Sequence, residues 1–313
     1  MSYIPSKPNK LGLIQLKDID LHEIVPFIDW VFFFMAWRMP GRFDGIETVH
    51  DCESCKMSWL HQFPLADRPK AEEALKLFKD AQEMLRQMVD EKIVSVNASF
   101  GVFQGYALDD DIFIENDDET ITLPMLRQQH AATDGFCYSL ADFVAPENDY
   151  VGAFATTIQG VETFAETFEK DDDVYHSILA KTLSDRLAEA AAEWIHWKVR
   201  TQYWGYAPDE NLSIKDMLKT RFSGIRPAVG YPSLPDQSII FELEPLLKFS
   251  EIGIQLTENG AMFPNASVCG LYFAHPKSKY FMVGKIDENQ FLDYARRCGK
   301  SPDVLRKWMA ANL

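Results

Sequence analysis

No run of apolar residues in this chain approaches the ~20 needed to cross a bilayer as a helix. The richest one, residues 24–37, is too short and is interrupted by Asp29. The basic-then-apolar layout of a secretory signal is missing from the N-terminus. Cysteine is scarce: five residues, an odd number in a chain of 313. That argues against a disulfide framework and for a reducing, cytoplasmic setting. Basic residues are outnumbered, 31 against 47 acidic, giving a formal charge of −16. A deficit of that sign disfavours nucleic-acid phosphates and anionic membrane as partners, since both demand a basic footprint. There is no internal repeat and no low-complexity segment. No G-x-G-x-x-G follows a strand pattern and no G-x-x-x-x-G-K-[ST] exists, so neither a Rossmann dinucleotide site nor a P-loop is supported. G-x-S-x-G and H-E-x-x-H are also missing.

What is present suits a globular enzyme module, because apolar residues make up 47% of a chain long enough to bury a large core. Residues 1–20, with Pro5 and Pro8, read as an N-terminal arm leading into one domain at 21–313. Residues 68–92 carry the stripe of an amphipathic helix. From 93 to about 158 the period shortens towards two. Within that stretch, 111–115 and 120–123 read as a hairpin with an acidic turn at 116–119, and 136–144 and 150–157 as further strands. A long helix is expected over 173–203, with Ile178, Leu183, Leu187, Ala190, Ala191, Trp194 and Ile195 facing the core. A short helix near 213–220, strands at 266–275 and 279–286, and a helical end follow. Asp287 with Gln290 resembles a capping box. Ser301-Pro302-Asp303 supplies an N-cap, a first-turn proline and an acid at the positive end. The order is not strict β-α-β, so the fold class is α+β, a twisted antiparallel sheet with flanking helices.

The segment with the most chemistry is Arg226-Pro227-Ala228-Val229-Gly230-Tyr231-Pro232. Prolines fix φ and lower the entropy of the free loop. Gly230 permits a backbone conformation or approach that a side chain would block. The result is either a stiff support for an arginine fork aimed at a small anion such as a carboxylate, or a rigid surface turn with a solvated arginine. Asp29 lies in the apolar run Phe27-Ile28-Asp29-Trp30-Val31-Phe32-Phe33-Phe34, so it is half-exposed on an amphipathic face or buried against a partner such as a ligand cation. On the long helix Asp185, Glu189, Glu193, His196 and Arg200 form a polar face, of which 193–200 reads as a solvated stripe. His50, Cys52, Cys55 and His61 are a weak zinc candidate: their spacing fits no common finger, and a loop with free thiols is the alternative. Asp20-Leu21-His22 begins like D-x-H-x-x-G, but Val25 replaces the glycine and a helix cap is the better reading. Arg296, Arg297, Lys300, Arg306 and Lys307 form a basic cluster near the end, either a docking patch or solvated helix faces.

Several ordered blocks resemble one family. They include Leu77-Phe78-Lys79-Asp80-Ala81, Leu140-Ala141-Asp142-Phe143, Asp185-Arg186-Leu187-Ala188-Glu189-Ala190, Tyr203-Trp204-Gly205-Tyr206-Ala207-Pro208, Gly224-Ile225-Arg226-Pro227-Ala228-Val229-Gly230-Tyr231-Pro232 and Asp293-Tyr294-Ala295-Arg296. With the Asp29 run, over about residues 20–313, they are similar to the activation domain of cobalamin-dependent methionine synthase. The resemblance implies a module that binds S-adenosylmethionine and presents its methyl group to cobalamin on a partner domain or chain. Flavodoxin, or a similar flavoprotein, would supply the electron that returns an oxidised cofactor to service in methionine biosynthesis. By motif, the S-adenosylmethionine site would comprise Asp29, Glu189, Arg226, Pro227, Ala228, Tyr231, Tyr280 and Phe281. No acid, base or nucleophile is required for that task. Thr220 stands where the family carries an acid, and residues 48–67 look like an insertion. The chain would be either a fragment of a longer synthase or a free-standing module. A non-catalytic S-adenosylmethionine-binding sensor or assembly module is the alternative.

Overall fold

The computed structural model describes residues 3–116 and 119–313. Strand β1 (Gly12–Ile19) leads into α1 (Leu21–Ile24), α2 (Trp30–Ala36), α3 (Glu53–Leu60) and α4 (Arg68–Asp90). Four strands follow, β2 (Ser95–Leu108), β3 (Asp111–Asn116), β4 (Glu119–Pro124) and β5 (Asp149–Gln159), and then α5 (Val161–Lys170) and α6 (Val174–Lys198). The remainder holds α7 (Ile214–Met217), α8 (Ile240–Leu247), the short pair β6 (Gln255–Leu256) and β7 (Met262–Phe263), β8 (Ser267–Tyr272), α9 (Glu288–Arg297) and α10 (Pro302–Trp308).

The main sheet is antiparallel and open, in the order β4-β3-β2-β5-β8, with β1 also on β2. β2 is long enough to serve two neighbours on one edge: β1 pairs with Val96–Val102 and β3 with Gly105–Leu108. Its other edge belongs to β5. Alternation sorts the side chains. Val96, Ala98, Phe100, Phe154 and Ile158 pack with the helices, whereas Phe103, Val151, Ala153 and Ala155 join the core on the opposite face, with Ile240 and Leu243 of α8. α9 and α10 close a smaller core around Phe291, Tyr294 and Leu305.

Several expectations need correction. Gly12–Ile19 of the supposed arm is a strand, and the residues before it are docked: Trp204 Nε1 donates to Ser6 O at 2.8 Å and Tyr3 Oη donates to Asp149. The sequence there alternates weakly, so its pairing with β2 was not visible locally. Residues 136–144 contain a 3₁₀ turn, Leu140–Phe143, capped by Ser139 and Asp142, and no strand. Residues 279–286 also lack regular structure. Asp287 caps α9 by accepting from Gln290 N, but Gln290 Oε1 accepts from Arg127 N, so the box is half made. Ile178 is 47% exposed, not core. The hairpin formed by β3 and β4 is present; residues 117 and 118 of its acidic turn lie outside the described residues.

The element that positions the site is an irregular strand. Residues 225–229 run beside the outer edge of β8: Ile225 exchanges backbone hydrogen bonds with Phe273 (3.0 and 3.1 Å), Leu271 N donates to Pro227 O (3.0 Å) and Val229 N to Cys269 O (3.0 Å). Pro227 fits because only its carbonyl is needed in the ladder. The approach is close at Gly270, where a Cβ would overlap the Pro227 carbonyl oxygen and stand 2.8 Å from Ala228 Cα. Gly270→Ala should therefore cost about 2 kcal/mol, an over-packing penalty. A urea melt indistinguishable from the parent's would show that the loop has room to spare.

Candidate functional site

Arg226 leaves this edge towards α6, and its side chain is only 12% exposed. Its Nη2 donates to Glu193 Oε2 at 3.0 Å, and the guanidinium carbon lies 5.6 Å from the centre of the Phe154 ring. Burial opposes its charge, but Glu193, then Tyr280 and Glu189, outweigh that and hold its pKa above the ordinary value. Tyr280 Oη accepts from the Arg226 backbone N–H at 2.9 Å, which ties the 280 segment to the loop. Tyr231 Oη donates to Glu189 Oε1 at 3.2 Å; that carboxylate raises the phenol's pKa. Gly230, at φ +82°, turns the chain so that its N–H reaches Leu234 O at 2.8 Å.

Two adjoining cavities share Phe32, Glu189, Arg226 and Tyr231. The first, about 570 Å³, is completed by Pro227, Ala228, Pro232, Ser233, Tyr280, Phe281 and Met282. The second, about 220 Å³, is lined also by Phe27, Asp29, Glu193 and Thr220. The larger volume is in the range of small-molecule sites. All eight residues expected at the site therefore border one cleft. Asp29 is half-exposed there and caps α2, accepting from Val31 N at 2.9 Å. Thr220 reaches the same wall with a left-handed backbone, φ +53°.

Glu193 is the residue that sequence reasoning missed. The stripe expected to be solvated is internal: His196 and Arg200 are fully buried and Glu193 is 7% exposed. Arg200 forks onto Glu210 at 2.9 and 2.7 Å and lies over the Phe222 ring. His196 stacks on Tyr272, and burial with the nearby cations Arg200 and Arg226 pushes its pKa well below the usual value. The available signal was composition around the helix. Ala188, Ala190, Ala191 and Ala192 make α6 small and apolar on nearly every side, as in a helix buried all round.

Residues 20–299 match the family described as vitamin B12 dependent methionine synthase, activation domain. The chain belongs to that family. Its fold is similar to a crystal structure of the MetH reactivation domain bound to AdoHcy, with a TM-score of 0.88 and 39% identity over 99% of this chain and 93% of that one.

Other candidates in this activation domain fare differently. Among the described residues no three His, Cys, Asp or Glu side chains cluster as a metal site, so His50, Cys52, Cys55 and His61 do not converge. Cys52 and Cys55 are not free thiols: they are joined as a disulfide. The basic cluster is largely neutralised in place. Arg296 and Arg297 pair with Asp293, Arg297 also with Asp111, Arg306 with Glu288, and Lys300 stands 3.6 Å from Glu242. Among the described residues no helix is long and apolar enough to cross a membrane.

The Glu193–Arg226 pair yields a direct test. Glu193→Gln removes the compensating charge and leaves a mostly buried guanidinium, which should cost about 3 kcal/mol in urea denaturation. Adding Arg226→Met should recover part of that loss, because the two sites share one interaction. Strictly additive costs below about 1 kcal/mol each would mean the pair is solvated in practice.

Proposed function

We propose that the cleft binds S-adenosylmethionine and that the module serves reductive reactivation of cobalamin-dependent methionine synthase. The observation that carries this reading is the charge arrangement. Arg226, paired through Nη2, keeps Nε buried and without a partner, beside the carboxylates Asp29, Glu189 and Glu193. Glu193 Oε1 is likewise unpartnered. A fixed cation next to several carboxylates suits the zwitterionic end of an amino acid: Arg226 holds its carboxylate, and Asp29 and Glu189 receive its ammonium. Tyr280, Phe281, Tyr231 and Phe32 provide aromatic surface for the adenosyl group and the sulfonium cation. Pro227 and Ala228 shape the floor. The similar structure with bound AdoHcy supports the same ligand class.

The residues present thus fit S-adenosylmethionine, and their work is to bind, orient and shield an already activated methyl donor. Cobalamin, held by a partner domain of methionine synthase on the same or a separate chain, would supply the centre that takes up an electron and the methyl group. Flavodoxin or a related flavoprotein would deliver the electron, in the cytoplasm. Net charge gives no attraction to an acidic flavodoxin, and the ion pairs of α9 and α10 leave little free basic surface there.

Titration of labelled S-adenosylmethionine onto the parent and Arg226→Ala tests the assignment. Loss of a charge-assisted contact should weaken binding ~30- to 1000-fold. Equal affinities would remove Arg226 from the site. Methylation of a cobalamin-loaded partner, given reductant, separates reactivation from mere binding by a sensor.

A further inference from the structure

The Cys52-x-x-Cys55 pair is not used by the proposed function. It sits at the start of α3, neither cysteine lines the cleft, and its two sulfurs are bonded to one another. Cys52 is exposed and Cys55 half-buried, so Cys52 is the more accessible member of the pair. The remaining cysteines, Cys137, Cys269 and Cys298, are unpaired, and Cys269 is buried.

The bond holds little of the fold. It closes a loop across two residues, where a cross-link restricts the unfolded chain least. α3 is anchored by other means: buried Trp59 donates from Nε1 to Asp44 O at 3.0 Å and packs on Phe63, and Lys56 pairs with Glu72 of α4. Cys52 is the N-cap, with the Cys55 backbone N–H directed at Cys52 Sγ at 3.1 Å. The same N–H stands ready to stabilise a thiolate on Cys52 once the bond opens. Asp51, the nearest acid on the N-terminal side, is paired with Lys79 at 2.6 Å.

We propose that Cys52 and Cys55 are a reversible dithiol–disulfide couple that exchanges with small-molecule thiols. An incoming thiolate attacks Cys52 Sγ, the protein S–S bond breaks, and Cys55 leaves as a thiolate that takes up a proton. A second thiolate attacks the external sulfur of the mixed disulfide, forming the external disulfide and freeing Cys52. Two thiols are oxidised and the protein disulfide takes up two electrons and two protons; the reverse sequence oxidises the dithiol. A path from this couple towards the cleft exists in the packing: Trp59 meets Phe63, Phe63 meets Phe43, and Phe43 meets Phe34 of α2, the helix that carries Phe32.

The test equilibrates the full chain with mixtures of reduced and oxidised glutathione, then quenches, alkylates and weighs the peptides. Cys52 and Cys55 should switch together in one two-electron transition. Under oxidised glutathione, Cys55→Ser should accumulate the mixed disulfide on Cys52 at least tenfold faster than Cys52→Ser does on Cys55. Thermal melts of the oxidised and reduced parent should coincide. The proposal fails if both cysteines remain alkylatable in every mixture, or if reduction lowers the melting temperature as loss of a structural bond would.

Discussion

A buried guanidinium must be compensated where it stands, and much of this molecule is arranged around that need. Arg226 meets Glu193 at 3.0 Å beneath the cleft, with both side chains largely withdrawn from water. Such a pair adds little net stability against an apolar substitute, but it cannot lose one member cheaply. Glu193 occupies Nη2 of the fork, Nε is buried without a partner, and Arg226 lines a cavity together with Asp29 and Glu189. The placement of the guanidinium at the cleft therefore rests on a residue of α6.

The sheet supplies the other half of the arrangement. β8 would be an exposed edge were it not covered by residues 225–229, which bond to it through backbone groups. That cover carries Arg226, Pro227 and Ala228 to one wall of the cleft, while α6 brings Glu189 and Glu193 to the other. Gly270 and the small residues of α6 allow the close approaches that bring the two walls together. Tyr280 then ties an irregular segment to the loop through one hydrogen bond to the Arg226 amide.

The strongly periodic elements could be read from the residues. α4, the β3–β4 hairpin, β5 and α6 lie close to where their patterns put them, and the site residues carried by motif all border the cleft. The failures have physical causes. β1 alternates too weakly to announce its partner, and residues 279–286 have strand-like composition but no neighbouring strand to pair with. Glu193, His196 and Arg200 look like a solvated face because local spacing shows periodicity and not what lies opposite. Their true surroundings, Arg226, Phe222, Tyr272 and Glu210, are remote in sequence or on other elements. Scarce cysteine in a reducing setting implies free thiols at Cys52 and Cys55, whereas the turn into α3 brings their Cα atoms to 5.4 Å and the sulfurs into a bond.

The central claim is that Arg226, held by Glu193, binds a carboxylate of the ligand. Calorimetry with S-adenosylmethionine and its decarboxylated analogue, on the parent chain, measures that contact without altering the protein. The account predicts that removing the carboxylate weakens binding by about 30-fold or more, the scale of one charge-assisted hydrogen-bonded pair. Equal affinity for the two ligands would contradict it.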